Sequence, residues 1–219
     1  MTAPYDAVLF DLDGTLIHSE PGVHVAIRHA LSAFGIVPSD DELDAFMGPP
    51  LRGVLESLYG MTTEVDVERF SAGFRESYFH GAEYDYEIYP GLADLVADLC
   101  AAGVTLAIAT AKPHESASRI IEHAGLAGSF AFVAGSEIDN TRQHKADVID
   151  HALASLAVDG RSHRIAMVGD RGLDVAAARA HGIDGIAVTW GYGGIEELET
   201  SGATAIAHDA SDLRRLLTN

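Results

Sequence analysis

The stretch AVLFDLDGTL, residues 7–16, places two carboxylates at the end of a run that is otherwise apolar. Ala7 to Phe10 have the composition of a strand buried on both faces, and Asp11 and Asp13 follow it directly. A carboxylate at the edge of an apolar environment costs free energy unless a partner compensates its charge. The rest of the chain is therefore expected to supply that partner.

Five more apolar runs resemble this first strand, and a helical pattern follows each of them. The runs are nearly continuous rather than alternating, which is typical of parallel strands that helices cover on both faces. They are VTLAIAT (104–110), SFAFVAG (129–135), RIAMVG (164–169), DGIAVTW (184–190) and ATAIA (203–207). Strands that alternate with helices predict an α/β fold, an open doubly wound parallel sheet with a Rossmann-like core.

Residues 19–88 interrupt this alternation, because they hold no strand-like run and carry helical periodicity over several stretches. An inserted all-α cap domain is therefore predicted between the first and second strands. Residues 1–18 and 89–219 are then predicted to form the α/β core. Proline and glycine in HSEPG (18–22) and YPG (89–91) favour turns, so both crossings between the domains have the chemistry of hinges.

Charge and composition exclude several classes of partner. The net charge is −19, from 33 acidic and 14 basic residues, and such a surface repels nucleic acid and anionic membranes. No apolar run approaches the roughly 20 residues of a membrane span, and the N-terminus lacks the basic and apolar segments of a signal peptide. The single cysteine excludes an internal disulfide. A cytoplasmic location is therefore predicted, with a monomer as the default state.

Polar and charged side chains follow four of the predicted strands, at the edge where open parallel sheets bind ligands. They are Asp11 and Asp13 after the first strand, Thr110 and Lys112 after the second, Lys145 after the third, and Asp170 and Asp174 after the fourth. Only two of the 14 basic residues are lysines, and both belong to this set. Each motif alone has a structural explanation, since DLDGT can form a turn and GDRGLD can cap a helix. Their convergence at one edge favours a functional site.

The chemistry of this set suits phosphate. Clustered carboxylates raise one another's pKa unless a cation is present, and Mg2+ takes carboxylates, waters and a substrate phosphate as ligands. Lysine and backbone N–H groups bind phosphate oxygens. An aspartate near phosphorus can act as a nucleophile, and a second one can protonate the leaving oxygen. GYGG (191–194) is interpreted as a plain loop, because no P-loop lysine follows it.

The ordered set DLDGT, TAK, the lysine of TRQHKAD and GDRGLD resembles the haloacid dehalogenase superfamily of phosphohydrolases. The helical insert is similar to that of the subgroup with a helical cap, and GPPL (48–51) and YPG (89–91) resemble its phosphoglycolate phosphatase branch. GSEIDNTRQHKADVI and MVGDRGLDVAAARAHGI resemble bacterial proteins labelled phosphoglycolate phosphatase-like or 5′-nucleotidase. The resemblance extends over nearly the whole chain.

The resemblance implies roles for the four aspartates. Asp11 would be the nucleophile and a Mg2+ ligand. Asp13 would be the general acid and base, with its backbone carbonyl also on the metal. Asp170 would bind the metal directly, and Asp174 would orient it from outside its ligands or bind through water.

The resemblance also implies a phosphate site. Thr110 and the N–H of Ala111 would hold the phosphoryl group, and Lys145 would neutralise the nucleophile and the phosphate. Lys145 is preferred to Lys112 because relatives place this lysine at the start of the same helix. Two positions depart from the family pattern: Ala111 stands where asparagine or serine is common, and His18 stands where aspartate is common.

The implied activity is hydrolysis of small phosphorylated metabolites, with three alternatives open. A 5′-nucleotidase and a sugar phosphomutase would use the same Asp11 and Asp13, and a non-catalytic binding protein could keep the same fold. A dehalogenase would use the aspartate without metal, which the paired acids disfavour. Arg52 and Arg75 of the insert are candidate contacts for an anionic substrate, although both can equally be solvated helix charges.

Overall fold

A computed structural model of the chain describes residues 4–137, 141–142, 144–158, 160 and 163–218. The chain divides into two compact units, one formed by Met1–His18 with Ile88–Asn219 and the other by Ser19–Glu87. The sequence predicts that residue 88 belongs to the helical insert, whereas the structure groups it with the first unit. The role of the second unit as a cap stays a prediction.

The described strands, in chain order, are β1 (Ala7–Phe10), β2 (Ile17–His18), β3 (Glu87–Ile88), β4 (Thr105–Pro113), β5 (Phe132–Ser136), β6 (Ile165–Gly169), β7 (Asp184–Val188) and β8 (Ala205–Ala207). The described helices are α1 (Glu20–Ser32), α2 (Asp40–Asp44), α3 (Leu51–Tyr59), α4 (Glu64–Phe79), α5 (Leu92–Ala101), α6 (His114–His123), α7 (Lys145–Leu156), α8 (Gly172–Ala180), α9 (Ile195–Thr200) and α10 (Ala210–Thr218). None of these helices is both long enough and apolar enough to cross a membrane.

The first unit is built on a six-stranded sheet with the order β5-β4-β1-β6-β7-β8, in which every neighbouring pair is parallel. The chain builds one half of the sheet outward from β1 through β4 to β5, and then crosses to build the other half. The prediction of an open doubly wound α/β fold is confirmed. Phe10, the last residue of β1, lies beside Ile108 of β4 and Val168 of β6. This register brings the residues that follow β1, β4 and β6 to the same edge.

The core of this unit explains why β1 lies at the centre. Its four side chains are fully buried, with helices on both faces of the sheet. Full burial of a valine, leucine or phenylalanine side chain contributes about 1.5–3 kcal/mol. The two middle positions, Val8 and Leu9, alternate between the faces, so both layers draw on the same strand.

Two strand ends differ from the prediction. The apolar run predicts that β4 ends at Thr110, yet the strand continues to Pro113. The run DGIAVTW predicts a strand as far as Trp190, yet β7 ends at Val188. In both places nearby residues make polar contacts at the carboxyl edge, which are described below. The hydrophobic pattern of the sequence gives no information about such contacts.

The second unit contains α1 to α4 around its own apolar cluster. The buried members of that cluster include Ile27, Leu31, Leu43, Leu55 and Phe70. Polar caps begin two of its helices: Ser39 and Glu42 form a capping box at α2, and Thr63 accepts a hydrogen bond from the N–H of Asp66 at α4. The expectation that residues 19–88 hold no strand is wrong at one point, because Glu87–Ile88 pairs with β2 in a separate two-stranded sheet.

Candidate active site

Asp11 is fixed by the loop that it begins. Its backbone N–H still donates to the carbonyl of Val168 at 2.8 Å, so the residue stays in register with β6. The N–H of Leu12 then donates to Asp11 Oδ1 at 2.7 Å. The side chain is largely buried, and only 8% of the residue is exposed. Asp11 is therefore a carboxylate held in one orientation at the carboxyl end of the central strand.

Three of the predicted aspartates meet at this edge. Asp11, Asp170 and Asp174 each offer a carboxylate oxygen within 4.8 Å of the others, and all three are buried. Asp170 directly follows β6, while Asp174 lies in the first turn of α8 and accepts a hydrogen bond from the N–H of Arg171 at 3.1 Å. Buried carboxylate oxygens at this spacing fit a hard divalent cation. This acidic cluster could hold a metal ion.

The pKa values indicate that the cluster carries more negative charge than its surroundings stabilise. Burial, together with the charges of Asp11 and Asp174, raises the pKa of Asp170 to about 7. Burial also raises the pKa of Asp174 to about 6, although the neighbouring Lys145 lowers it. A bound cation would offset this repulsion, which agrees with the chemistry of the donor set.

Lys145 is the cation that the structure itself places in the cluster. Its Nζ lies 3.0 Å from Asp11 Oδ2 and 2.7 Å from Asp174 Oδ1, and it donates to the carbonyl of Ala109 at 2.9 Å. These contacts place two carboxylates and one carbonyl around the ammonium group. Burial alone would lower the pKa of Lys145, but the two carboxylates raise it well above its usual range. The side chain therefore stays protonated beside Asp11.

Asp13 lies outside the acidic cluster and has a lysine of its own. Its Oδ2 is 3.1 Å from the Nζ of Lys112, whose side chain is 7% exposed. Its Oδ1 is buried and has no hydrogen-bond partner among the residues that the structure describes. Asp13 thus lies at the same edge as the other three carboxylates but outside their cluster, and the metal contact predicted for its backbone carbonyl stays a prediction.

Thr110 and Ala111 lie at the same edge, within the last part of β4. Thr110 is 1% exposed, and its hydroxyl accepts a hydrogen bond from the N–H of Lys112 at 3.2 Å. The carbonyl of Ala111 accepts a hydrogen bond from the hydroxyl of Ser136 at 2.8 Å. Both residues are thus placed at the edge as predicted, while their phosphate-binding roles stay predictions.

The loop after β7 belongs to the site, although the sequence predicts only a plain loop there. The N–H of Tyr192 donates to Asp170 Oδ2 at 2.7 Å, and the indole N–H of Trp190 donates to the carbonyl of Thr15 at 3.0 Å. The ring of Tyr192 also lies 6.3 Å, between centroids, from His18. The loop therefore fixes one oxygen of a candidate metal ligand.

Glycine is required where this loop passes the first motif. A Cβ on Gly191 would lie 2.2 Å from the carbonyl oxygen of Gly14 and 2.4 Å from Asp170 Oδ2. Gly14 itself has φ +76°, and a Cβ there would lie 2.3 Å from the same Asp170 oxygen. The sequence contains one signal for this contact, the spacing G-Y-G after a strand. It indicates a close approach to Asp170 only once β7 is known to lie beside β6.

Gly191→Ala is expected to weaken divalent-cation binding by about 10-fold or more, because displaced hydrogen-bond partners of metal ligands have effects of this size. The added methyl group must push against Asp170 and the backbone of Gly14. Calorimetric titration with Mg2+ measures the affinity directly. Gly194→Ala is the matched control, since a Cβ there meets no atom within 4 Å. Equal affinities in the two variants would contradict the role given to this loop.

The two candidate arginines of the second unit differ in their surroundings. Arg52 pairs with Glu64 at 2.5 Å, and Arg75 pairs with Glu68 at 2.6 Å. Arg75 also lines a cavity of about 320 Å³ within this unit, whose other lining residues are mostly apolar. Arg52 is not among the lining residues. Contact with substrate stays a prediction for both, and the cavity favours Arg75.

Comparison with known proteins gives the same family as the motifs. A family model described as haloacid dehalogenase-like hydrolase matches residues 8–188. Tyrosine-protein kinase PtkA of Mycobacterium tuberculosis is 39% identical over 213 residues, which cover 96% of this chain and 72% of that protein. A 5′-nucleotidase of Pseudomonas aeruginosa is 33% identical, over 97% of this chain and 96% of the relative. A phosphoglycolate phosphatase of Rhodospirillum rubrum is 31% identical, over 94% and 88% respectively.

A solved structure gives the same result for the fold. A Clostridium difficile protein, provisionally named a phosphatase, has a TM-score of 0.91 to this chain at 33% identity. The match covers 97% of this chain and 99% of that one. The prediction of an enzyme of the phosphatase class within this superfamily is confirmed by the family model and these matches. The chain belongs to the haloacid dehalogenase-like hydrolase family.

Proposed function

We propose that this chain is a Mg2+-dependent phosphomonoesterase that acts on small phosphorylated metabolites through an aspartyl-phosphate on Asp11. The observation that carries the proposal is the position of Asp11, oriented by the N–H of Leu12 and lying 3.0 Å from a buried, protonated Lys145. Relatives named phosphoglycolate phosphatase and 5′-nucleotidase support a phosphate monoester as substrate.

The reaction follows from the two aspartates of the first motif. The carboxylate of Asp11 attacks phosphorus, and the bond from phosphorus to the ester oxygen breaks as the aspartyl-phosphate forms. Protonated Asp13 gives its proton to the departing oxygen, so that an alcohol leaves. Asp13 then takes a proton from water, which attacks the aspartyl-phosphate and releases inorganic phosphate. Both carboxyl groups are thereby restored to their starting states.

The other residues of the site bind and orient the phosphate. Asp11, Asp170 and the backbone carbonyl of Asp13 would hold the Mg2+ ion, with Asp174 in direct or water-mediated contact. The ion supplies positive charge to the phosphate oxygens when it is bound. Lys145 supplies a second positive charge from the protein.

Further phosphate contacts come from the end of β4. The Thr110 hydroxyl and the N–H of Ala111 would bind the remaining phosphate oxygens. The second unit, Ser19–Glu87, would act as the cap that selects the organic part of the substrate. Cytoplasmic location and a monomeric state stay predictions.

Phosphate release from a substrate panel tests this function. The panel contains 2-phosphoglycolate, nucleoside 5′-monophosphates, sugar phosphates and p-nitrophenyl phosphate, each with Mg2+ and with a chelator. We expect release that requires Mg2+, with preference among the esters distinguishing a phosphoglycolate phosphatase from a 5′-nucleotidase. An isomeric sugar phosphate as product would instead indicate a phosphomutase. No release from any ester by a folded, Mg2+-binding protein would contradict the proposal.

A second candidate is transfer of the phosphoryl group to a protein tyrosine, because the 39% identical relative from Mycobacterium tuberculosis is named a tyrosine-protein kinase. In that reaction the tyrosine hydroxyl replaces water as the acceptor. Incubation with ATP labelled in its γ-phosphate and a tyrosine-containing peptide distinguishes the two. Labelled peptide would favour the transferase, whereas labelled inorganic phosphate alone would favour the hydrolase.

A further inference from the structure

Lys112 is a lysine for which the proposed mechanism has no role. It is one of only two lysines in the chain, and the other, Lys145, already contacts Asp11, Asp174 and the carbonyl of Ala109. Lys112 is as buried as Lys145, since 7% of its side chain is exposed against 8% for Lys145. A buried ammonium group loses hydration, so its retention requires a partner.

We propose that Lys112 is a positioning residue for the general acid, holding Asp13 so that one carboxylate oxygen faces the reacting oxygen of the substrate. The inference rests on the proposed function, because it takes Asp13 as the acid. In this role Lys112 influences the reaction only through Asp13.

The backbone of β4 is shaped to present this side chain. In the pairing of β4 with β5, Ala109 lies opposite Ala134, but the next pair is Pro113 with Ser136. Residues 110–112 therefore form a bulge, since β4 advances by four residues while β5 advances by two. Bulges redirect side chains and are frequent next to active sites. The N–H of Lys112 donates to the hydroxyl of Thr110 at 3.2 Å, which holds the bulge in one conformation.

The contact holds the Asp13 carboxyl group in one rotation. Oδ2 lies 3.1 Å from the Nζ of Lys112. Oδ1 is buried and has no hydrogen-bond partner among the described residues. Oδ1 is enclosed although 28% of the Asp13 side chain is exposed, so Oδ2 is the oxygen that can give the leaving group its proton, and Lys112 fixes its position. Without Lys112, rotation of the carboxyl group would exchange the two oxygens and misplace that proton.

The choice of leaving group tests this assignment. A p-nitrophenolate leaves without a proton, whereas an alkoxide requires one, so only alkyl esters need the acid in the step that kcat/KM reports. Lys112→Met removes the charge and keeps most of the side-chain volume. We expect kcat/KM to fall about 100-fold for an alkyl phosphate and less than about threefold for p-nitrophenyl phosphate. KM for both esters should change little.

Four further variants make the result specific. Asp13→Asn should show the same difference between esters, and Lys112→Arg should recover most of the loss because it restores a cation. Lys145→Ala should reduce activity on both esters alike, since Lys145 contacts Asp11. Arg215→Gln, at an exposed ion pair with Asp212, controls for the loss of one positive charge. Thermal unfolding and circular dichroism verify that each variant folds.

The outcomes separate this inference from the function on which it rests. A difference between esters in Asp13→Asn but not in Lys112→Met overturns the positioning role alone. An equal loss on both esters, or a rise in KM with kcat unchanged, also overturns it, because Lys112 would then support the fold or bind phosphate. No difference in Asp13→Asn overturns the acid role of Asp13 and the inference together. If Lys112→Met does not fold, Lys112→Arg is the variant to read. A native ratio of kcat/KM between the alkyl and p-nitrophenyl esters in Lys112→Arg then supports the positioning role. An equal loss of kcat/KM on both esters in that variant overturns it.

Discussion

Asp11→Asn is expected to abolish phosphate release from every ester, with a fall in kcat of at least about 10⁴-fold. An amide oxygen is a poor nucleophile toward phosphorus, so the aspartyl-phosphate does not form. The substituted side chain keeps an oxygen that accepts from the N–H of Leu12, a contact of 2.7 Å in the native protein. The variant should therefore fold and still bind substrate, which assigns the loss to the chemical step.

Labelled substrate gives the direct measurement for this variant. Acid quenching during turnover should trap radioactive phosphate on the native protein and none on Asp11→Asn. Asp6→Asn is the matched control, because Asp6 directly precedes β1 and so lies at the amino end of the parallel strands, away from the site. There its side chain accepts a hydrogen bond from the N–H of Arg164 at 2.7 Å. The control should keep full activity. Turnover above about one-hundredth of native in Asp11→Asn would show that another group accepts the phosphoryl group.

The convergence of the site could be predicted because it depends on strand direction alone. Residues that follow parallel strands of one sheet meet at one edge, whatever the details of the loops. Asp11, Thr110 and Asp170 each come directly after a buried run or at its end, so the sequence contains their placement. Their proximity in the structure follows from the register of β1 with β4 and β6.

Which aspartate each lysine contacts could not be predicted from the apolar runs of the sequence. The apolar pattern ends at Thr110, but β4 continues through a bulge that turns Lys112 toward Asp13. Lys145 reaches Asp11 because it is the first residue of α7, and helix starts have no strong signal in HKAD. Bulges and helix starts depend on local hydrogen bonds, which hydrophobic periodicity does not report.

The loop after β7 was missed for a related reason. Tyr192 and Asp170 are 22 residues apart, and only the backbone N–H of Tyr192 makes the contact. A contact through the backbone leaves no requirement on the side chain, so residue type does not reveal it. The two glycines that flank Tyr192 record a close approach, but the sequence alone does not say to what.

Removing divalent cations is expected to destabilise the protein at pH 8 and to have little effect near pH 5. Asp170 and Asp174 have pKa values of about 7 and about 6 in the folded chain, against an ordinary value of 3.8. Between pH 3.8 and the folded pKa of each group, the folded state therefore binds more protons than the unfolded state. Stability from these groups is thus present below about pH 4 and is lost as the pH rises through the folded pKa values.

Mg2+ should restore stability where those protons have been lost. The ion binds ionised carboxylates, so it competes with protons at pH 5 and binds without that competition at pH 8. At a concentration about 100-fold above Kd, binding contributes about 2.7 kcal/mol, or roughly 5–10 °C in Tm for a chain of this size. The measurement is thermal unfolding in chelator and in Mg2+ at pH 5, 6.5 and 8.

Substitution of single carboxyl groups identifies the source of the pH dependence. Asp170→Asn removes the group with the higher pKa of the two, so most of the fall in stability between pH 5 and pH 8 should disappear in chelator. Asp212→Asn should leave that fall in place, because the hydrogen bond from Arg215 lowers the pKa of Asp212 and the group is already ionised at pH 5. A Mg2+ shift of the same size at pH 5 and pH 8 would contradict the linkage, since it would mean that Asp170 and Asp174 are already ionised in the folded protein at pH 5 without a bound cation.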